Sequence, residues 1–314
     1  MLRIPKRKEA VARVIIEPDQ NDRRLDNFLR ARFRDIPKSR IYQMIRKGEV
    51  RVNGGRVKPD YRVQSGDQVR VPPISRLEPR RRPAPPPDSH PQITSATLYE
   101  DGELLILNKP SGFAVHGGTG RPFGIIDVLR QIPRYGSDLQ LVHRLDRETS
   151  GCLLLAKNHS CLRRLHQLLR DGKIQKHYLA LLRGRLAERV VTVDLPLKRS
   201  ERHVGRHVVE ASDTGKPAHT RFIRQRLFRN ATLAHVETAT GRTHQIRVHA
   251  SLIGHPVAGD HRYGDREFNR QMRPHGLRRM FLHASSVHVP RSGTGLTVDA
   301  PLPEDLARFL DDYA

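Results

Sequence analysis

In the stretch "DRRLDNFLRARF", residues 22 to 33, Leu25, Phe28, Leu29 and Phe33 recur at helical spacing, which predicts a helix with Asp22 as its N-cap. A second helix is signalled in "PKSRIYQMIRKG", where Ser39 can cap, Ile41, Met44 and Ile45 form a short apolar stripe, and Gly48 supplies a left-handed C-terminal residue. The pattern then changes period. "EVRVNGGRVKPDYRVQSGDQVRVP" alternates short β-branched runs with the turns Asn53-Gly54-Gly55 and Ser65-Gly66-Asp67, and so predicts a small antiparallel sheet.

Residues 76 to 92, "RLEPRRRPAPPPDSHPQ", hold six prolines and a basic run, which exclude both helix and central strand and predict an extended linker. Beyond it, residues 103 to 109 form a near-continuous apolar run ending in Asn108, Lys109 and Pro110, the pattern of a buried strand meeting a turn. Helical patterns follow at about 124–132, 160–171, 243–254 and 303–313, with β-rich stretches around 141–145, 152–157, 175–183, 216–238 and 281–289. The expected fold class is therefore α+β: a small α+β domain over residues 1–75, a linker over 76–92, and a mixed α+β body over 93–314.

Charge narrows the function. Lys and Arg number 57 against 33 Asp and Glu, a formal charge of +24, and the excess runs along the whole chain. Residues 1–75 alone carry 19 against 9, a net +10. Such a field attracts polyanions, nucleic acid above all. An anionic membrane would call for an apolar span of about 20 residues or a basic helix with bulky apolar anchors, and neither pattern is present. "MLRIPKRKEA" lacks the apolar stretch of a secretory signal, so a cytoplasmic protein is expected.

Several motifs carry less than they suggest. Cys152 and Cys161 are too few for a disulfide framework and wrongly spaced for zinc, so both read as buried small residues. "HGGTGRP", residues 116 to 122, lacks the Lys-Ser/Thr of a phosphate loop and reads as a flexible loop. Histidines 244, 249, 255, 261, 283 and 288 show no tight metal spacing and read as surface or packing residues.

"HRLDRETSG", residues 143 to 151, stands apart. Asp146 lies between Arg144 and Arg147, a setting that usually means a structural ion pair. Yet Leu141 and Val142 before it, and Cys152 to Leu155 after it, suggest strands entering and leaving a core. Such strands would fix Asp146 on a turn of a rigid scaffold, where catalytic residues concentrate.

Two family resemblances emerge from these segments. "RLDNFLR", "SRIYQMIRKGEVRVNG" and "SGDQVRV" resemble the S4 RNA-binding domain over residues 22–72. "LVHRLDRETSGCLLLAK", "QKHYLALLRG" and "TATGRTHQIRVHASLIGHPVAGDHRYG" closely resemble the RluA/RluC/RluD family of pseudouridine synthases, in family order and through to the C-terminus. "NKPSGFAVHGGTG" and "PKSRIYQMIRKGEVRVNGGRVKP" look most like the RluC type, which acts on uridines of 23S (large-subunit) ribosomal RNA.

The resemblance implies the pseudouridine synthase fold with a mixed, mainly antiparallel sheet, Asp146 as the catalytic aspartate, Tyr178 as the active-site tyrosine and Arg247 as the basic partner of the aspartate. It also implies that Arg144 holds the RNA open once the target base has left the stack, while Arg147 reads as structural. The S4 resemblance implies RNA contacts from Lys38, Arg40, Arg46, Lys47 and Arg51. Product and substrate are isomers, so the reaction calls for no cofactor and no metal. The expected partner is 23S rRNA or a large-subunit assembly intermediate, with no membrane and no obligate protein partner. A non-catalytic ribosome-assembly protein is the alternative from another class, and an S4-bearing methyltransferase would need a glycine-rich cofactor loop that is not found.

Overall fold

The structure, a computed structural model, describes residues 11–33, 36, 38–73, 89–117, 123–136, 138–200, 208–291 and 293–313. It divides into two units, Met1–Arg82 and Pro83–Ala314.

The first unit runs β1 (Ala12–Ile15), β2 (Arg23–Arg24), α1 (Leu25–Arg32), α2 (Lys38–Arg46), β3 (Arg51–Val52), β4 (Arg62–Val63) and β5 (Gln68–Val71). β5 lies between β1 and β3, antiparallel to both, and β2 pairs with β4. Leu25 and Leu29 from α1 meet Ile41, Met44 and Ile45 from α2 and Val63 and Val69 from the strands in one buried cluster. Asn53 and Gly54 both take positive φ, 50° and 81°, the backbone a tight hairpin turn requires.

Two expected caps are corrected. α1 starts after Arg24, because the Asp22 N–H is donated to the Val63 carbonyl at 2.8 Å and the following two residues pair as a strand. Ser39 lies inside α2, which begins at Lys38. Gly48, at φ 69°, does close that helix.

The second unit begins with α3 (Ser89–Thr94), β6 (Thr97–Glu100), β7 (Leu104–Lys109), α4 (Ile125–Leu129), β8 (Gln140–Leu141), β9 (Ser150–Ala156), α5 (His159–Arg170) and β10 (Gln175–Arg183). It continues with β11 (Val190–Asp194), β12 (Leu197–Arg199), β13 (Val209–Ala211), β14 (His219–Leu227), β15 (Ala231–Thr238), α6 (Gln245–Leu252), α7 (Arg266–Met272), β16 (Leu282–Val289), β17 (Leu296–Asp299) and α8 (Glu304–Asp312). Most of the expected linker and the end of the "HGGTGRP" loop lie outside the described residues. Where they resume, α3 occupies positions from which a helix was excluded. Pro91 stands in its first turn, where a missing N–H forfeits no intrahelical bond.

A ten-stranded sheet forms the frame, ordered β11-β14-β15-β10-β16-β9-β7-β6, with β17 beside β16 and β8 beside β9. All its pairings are antiparallel except the short one between β9 and β16, where Ser150 faces His283 and Gly151 faces Ala284. Every residue of β9 is buried, which explains the unbroken apolar run that follows Asp146. At Gly151, with φ 108°, a side-chain carbon would stand 2.1 Å from the Ala284 carbonyl oxygen, so the two backbones can be this close only at glycine. Cys152 and Cys161 are buried and unpaired; burial pushes the Cys152 thiol up to about 12.

Candidate active site

Asp146 lies in the connection between β8 and β9, and three neighbours hold that connection in place. The side chain of Lys109, 0% exposed, donates to the carbonyls of Pro110, Phe113 and Arg147 at 2.8, 2.9 and 3.0 Å. These three acceptors match the three hydrogens of its ammonium group. Gly112 donates its N–H to the same Arg147 carbonyl and Ser111 its hydroxyl to that of Glu148, both fastening the loop to the turn after β7. Burial presses the Lys109 ammonium down to about 7, against the attraction of Asp146. The lysine that ends the apolar run thus anchors the aspartate loop from beneath, a role the sequence reading did not give it.

Tyr178 arrives from the other half of the sheet. On β10 it faces Val236 of β15, while the register with β16 shifts between His177 and Leu179. Such a bulge re-aims a side chain beside a site. The ring is 9% exposed, and burial, reinforced by the charge of Asp146, holds the phenol above its ordinary pKa, so it keeps its proton.

Arg247 stands in the first turn of α6, held by Gln245. The Gln245 side chain accepts from the Thr240 hydroxyl and the Arg242 N–H at 2.7 and 3.0 Å, and donates to the His219 carbonyl and Thr220 hydroxyl, both at 2.9 Å. From that turn Arg247 donates through NH1 to Asp146 at 2.7 Å, and through Nε and NH2 to Asp260 at 2.7 and 2.9 Å. Burial alone would lower the guanidinium pKa, but Asp260 and then Asp146 raise it above its ordinary value. Asp260 is itself buried; burial pushes it up, and the hydrogen bonds and charge of Arg247 bring it below the usual carboxylate range. Its Oδ1 also accepts the N–H groups of Arg262 and Tyr263, at 2.8 and 3.1 Å. The Tyr263 ring lies 5.1 Å from the guanidinium.

These groups border a cleft of about 480 Å³ that includes Arg144, Asp146, Lys176, Tyr178, Arg242, His244 and Arg247. The exposed Arg144 borders both this cleft and an adjoining groove with Lys198, Arg199, Lys216 and Arg262. Burial, aided by Arg242, lowers the Lys176 ammonium to about 8. Arg147 pairs with Glu148, and both border the adjoining groove. One carboxylate facing a guanidinium, a protonated phenol and a rim of cations suits a polyanion whose reacting unit enters the cleft.

The expected contacts of the first unit separate into two kinds. Arg46 and Lys47 are exposed, and no ion pair among the described residues involves them. Arg40 pairs with Glu49 at 3.0 Å and also donates to Gln43. Arg51, half-buried, donates to the Gly48 and Gly54 carbonyls at 3.3 Å, tying down the turns on either side of it. The Lys38 side chain lies outside the described residues.

Three further residues of the second unit escaped the sequence reading. Asp260 sits in "GDHRYG", where nothing local distinguishes it from a turn aspartate. His244, packed edge-on against Tyr263, also lines the cleft, with Nε2 3.9 Å from Asp146. Tyr263 touches both His244 and Arg247. Of the other histidines weighed as ligands, His249 and His283 are packing residues, each 0% exposed. Among the described residues one trio, His177, His235 and Glu237, brings potential metal-binding atoms within 4.8 Å of one another. His177 is adjacent to Tyr178 in β10 and so lies on the opposite face of the sheet. His177 and His235 hydrogen-bond each other at 3.0 Å, and Glu237 pairs with Arg221 at 2.6 Å.

Both units of the chain are similar to known proteins. The family described as RNA pseudouridylate synthase matches residues 103–252, and the S4 domain matches residues 23–69. Two curated relatives named ribosomal large subunit pseudouridine synthase C, from Salmonella typhi and Escherichia coli strain K12, are each 48% identical over 95% of this chain and 95% of their own. The solved structure of human RNA pseudouridylate synthase domain containing 4 superposes with a TM-score of 0.60 at 25% identity, covering 72% of this chain and 95% of the human one.

Proposed function

The chain belongs to the family of RNA pseudouridylate synthases, and from that membership we propose that it isomerises uridines of 23S, large-subunit ribosomal RNA, with Asp146 as the group that opens the glycosidic bond. The observation that carries the assignment of Asp146 is its contact with Arg247, 2.7 Å away, in a cleft that also receives Tyr178. The substrate class rests on the relatives, whose names specify the ribosomal large subunit.

The chemistry follows from the groups present. The bond from uracil N1 to ribose C1′ breaks, the base turns, and C5 takes the place of N1. A glycoside hydrolase needs two carboxylates because water must be activated as well as the leaving group protonated. Here the leaving base is recaptured, so a single carboxylate suffices. Asp146 either attacks C1′ or removes a proton beside it. Tyr178 presents a ring on which the extruded uracil stacks and a phenol for proton exchange at C5. Arg144 and the neighbouring cations hold the backbone of the opened RNA, offsetting the few kcal/mol needed to unstack a base.

Residues 1–75 serve as an RNA-binding appendage to the catalytic body, residues 93–314, through the linker 76–92, raising the local concentration of substrate. Arg46 and Lys47 are its contacts, with Arg40 and Lys38 beside them. The substrate is 23S rRNA or an assembling large subunit. The site of action is the cytoplasm, and among the described residues no helix is long and apolar enough to cross a membrane. The test is chemical mapping of pseudouridine in ribosomal RNA treated with purified protein and with Asp146→Asn. Pseudouridine made equally by the variant would overturn the role of Asp146. Sites changed only in transfer RNA, in cells lacking the gene, would overturn the substrate.

A further inference from the structure

Among the described residues only Asp22, Asn53 and His244 hold positive φ without being glycine. The first two are residue types that adopt this backbone readily and lie in turns of the first unit. His244, at φ 55° and ψ 18°, precedes α6 and makes no side-chain cap to it. A residue kept in a sparsely populated conformation beside a cleft invites the question of what its side chain does there.

That side chain is 11% exposed and has two fixed ends. Nδ1 lies 2.8 Å from the Tyr263 hydroxyl, and Nε2 faces Asp146 Oδ1 at 3.9 Å. The Tyr263 oxygen already accepts the Val209 N–H at 2.8 Å. Its own hydrogen is therefore free to point at His244 Nδ1, and burial raises the Tyr263 pKa, so the phenol keeps that hydrogen. With Nδ1 accepting, the imidazole hydrogen sits on Nε2, on the side of Asp146. Burial also lowers the His244 pKa to about 4, against the pull of Asp146, so near neutral pH the ring is an uncharged donor.

We propose that His244 is a further catalytic residue, whose Nε2–H, oriented by Tyr263, donates a hydrogen bond to O2 of the uracil as it leaves C1′. The inference rests on the uridine-isomerising reading of the cleft. When N1–C1′ breaks, the bonding pair goes to the base and spreads onto O2 and O4. C1′ is compensated by the Asp146 carboxylate or by loss of a neighbouring proton. C5–C1′ then forms as the Asp146–C1′ bond breaks or, on the other route, as Asp146 returns the abstracted proton to the sugar; C5 loses its proton and N1 gains one. His244 transfers no proton in this sequence; it stabilises charge that exists only while the base is detached, the condition under which a fixed donor accelerates a reaction. O2 is separated from C1′ by N1 and C2 alone, so a donor beside the carboxylate that acts at or next to C1′ is within reach of it. A neutral donor also leaves the ion pair of Asp146 with Arg247 undisturbed, which a second cation would not.

The experiment uses full-length protein and a large-subunit rRNA fragment carrying uridine or 5-fluorouridine at the target, in single-turnover reactions. Fluorine withdraws charge from the departing base and lessens its need for a donor. His244→Met should slow glycosidic cleavage of uridine about 100-fold and that of 5-fluorouridine at least about tenfold less severely. His244→Gln, with an amide N–H near the position of Nε2–H and the same strain at positive φ, should recover to within about fivefold of wild type. Tyr263→Phe, which keeps the ring beside Arg247, should lower kcat about tenfold with KM nearly unchanged. Equal losses in the Met and Gln variants, with the same ratio of uridine to 5-fluorouridine rates as wild type, would overturn the inference. Absence of pseudouridine with the wild-type protein would instead sink the reading of the cleft itself.

Discussion

Arg247 grips Asp260 through two parallel hydrogen bonds, Nε at 2.7 Å and NH2 at 2.9 Å, and this grip leaves NH1 aimed at Asp146. Asp260 is thus the residue that decides where the guanidinium points. Asp260→Asn, which replaces one acceptor oxygen with a donor, is expected to lower the single-turnover rate about 10- to 100-fold while RNA affinity changes little. Asp260→Ala takes from a buried cation its two-bond partner, leaving Asp146 alone, and should also lower stability by about 3 kcal/mol, measurable by urea unfolding.

Tyr178→Phe keeps the ring and removes the phenol. If the hydroxyl serves proton exchange, the rate should fall about 100-fold or more with substrate affinity retained. Tyr178→Ala should weaken RNA binding as well. Rate and affinity measured on the same RNA separate the two contributions.

Lys109→Met is expected to act on folding. It removes three hydrogen bonds, leaving the Pro110 and Phe113 carbonyls without their donor and the Arg147 carbonyl with Gly112 alone, at about 1 kcal/mol each, so the second unit should lose roughly 3 kcal/mol of stability. Lys109→Arg should not restore it, since the site is fully enclosed and its three acceptors are arranged around a point charge. Denaturant unfolding of all three proteins checks this.

His249 and His283 each have Nδ1 near a hydroxyl, of Thr220 and Ser150, and Nε2 near a carbonyl, of Leu195 and Ala300. Burial holds both below their ordinary pKa. In moderately acidic solution the unfolded chain binds protons at these positions and the folded chain does not, so stability must fall as pH drops below about 6.5. Thermal unfolding between pH 7 and 5 should show this loss, and His283→Gln should make the slope shallower.

Arg46→Glu combined with Lys47→Glu should weaken RNA binding and reduce the slope of log affinity against log salt by about two. Arg40→Glu should do less, because Glu49 already engages that guanidinium. Filter binding across a salt series distinguishes them.

The strong periodic signals gave reliable elements. β10 spans 175–183 as expected, and α5 begins one residue early, at His159. The failures came where tertiary pairing overrides local preference: Asp22 is drawn into a contact with Arg62 across the small sheet, and Pro91 is tolerated because it falls in a first helical turn. At the site, Asp146 stood out by its turn between two apolar strands, while Tyr178 and Arg247 were legible only through family resemblance; the structure brings all three to one cleft. Their supports were not legible. Asp260, His244 and Tyr263 matter through contacts with residues far away in sequence, and Lys109 through carbonyls, which no side-chain pattern records.

The short parallel contact between β9 and β16 is also the seam between the two strand groups that supply the site. β6 to β9 lead to Asp146 on one side; β10 to β16 lead to Tyr178 and Arg247 on the other. A chain that has completed one group holds the acid or its partners, never both. On the role proposed for Asp146, catalytic competence therefore depends on closure at Gly151, the one position where the two strand backbones can come this close.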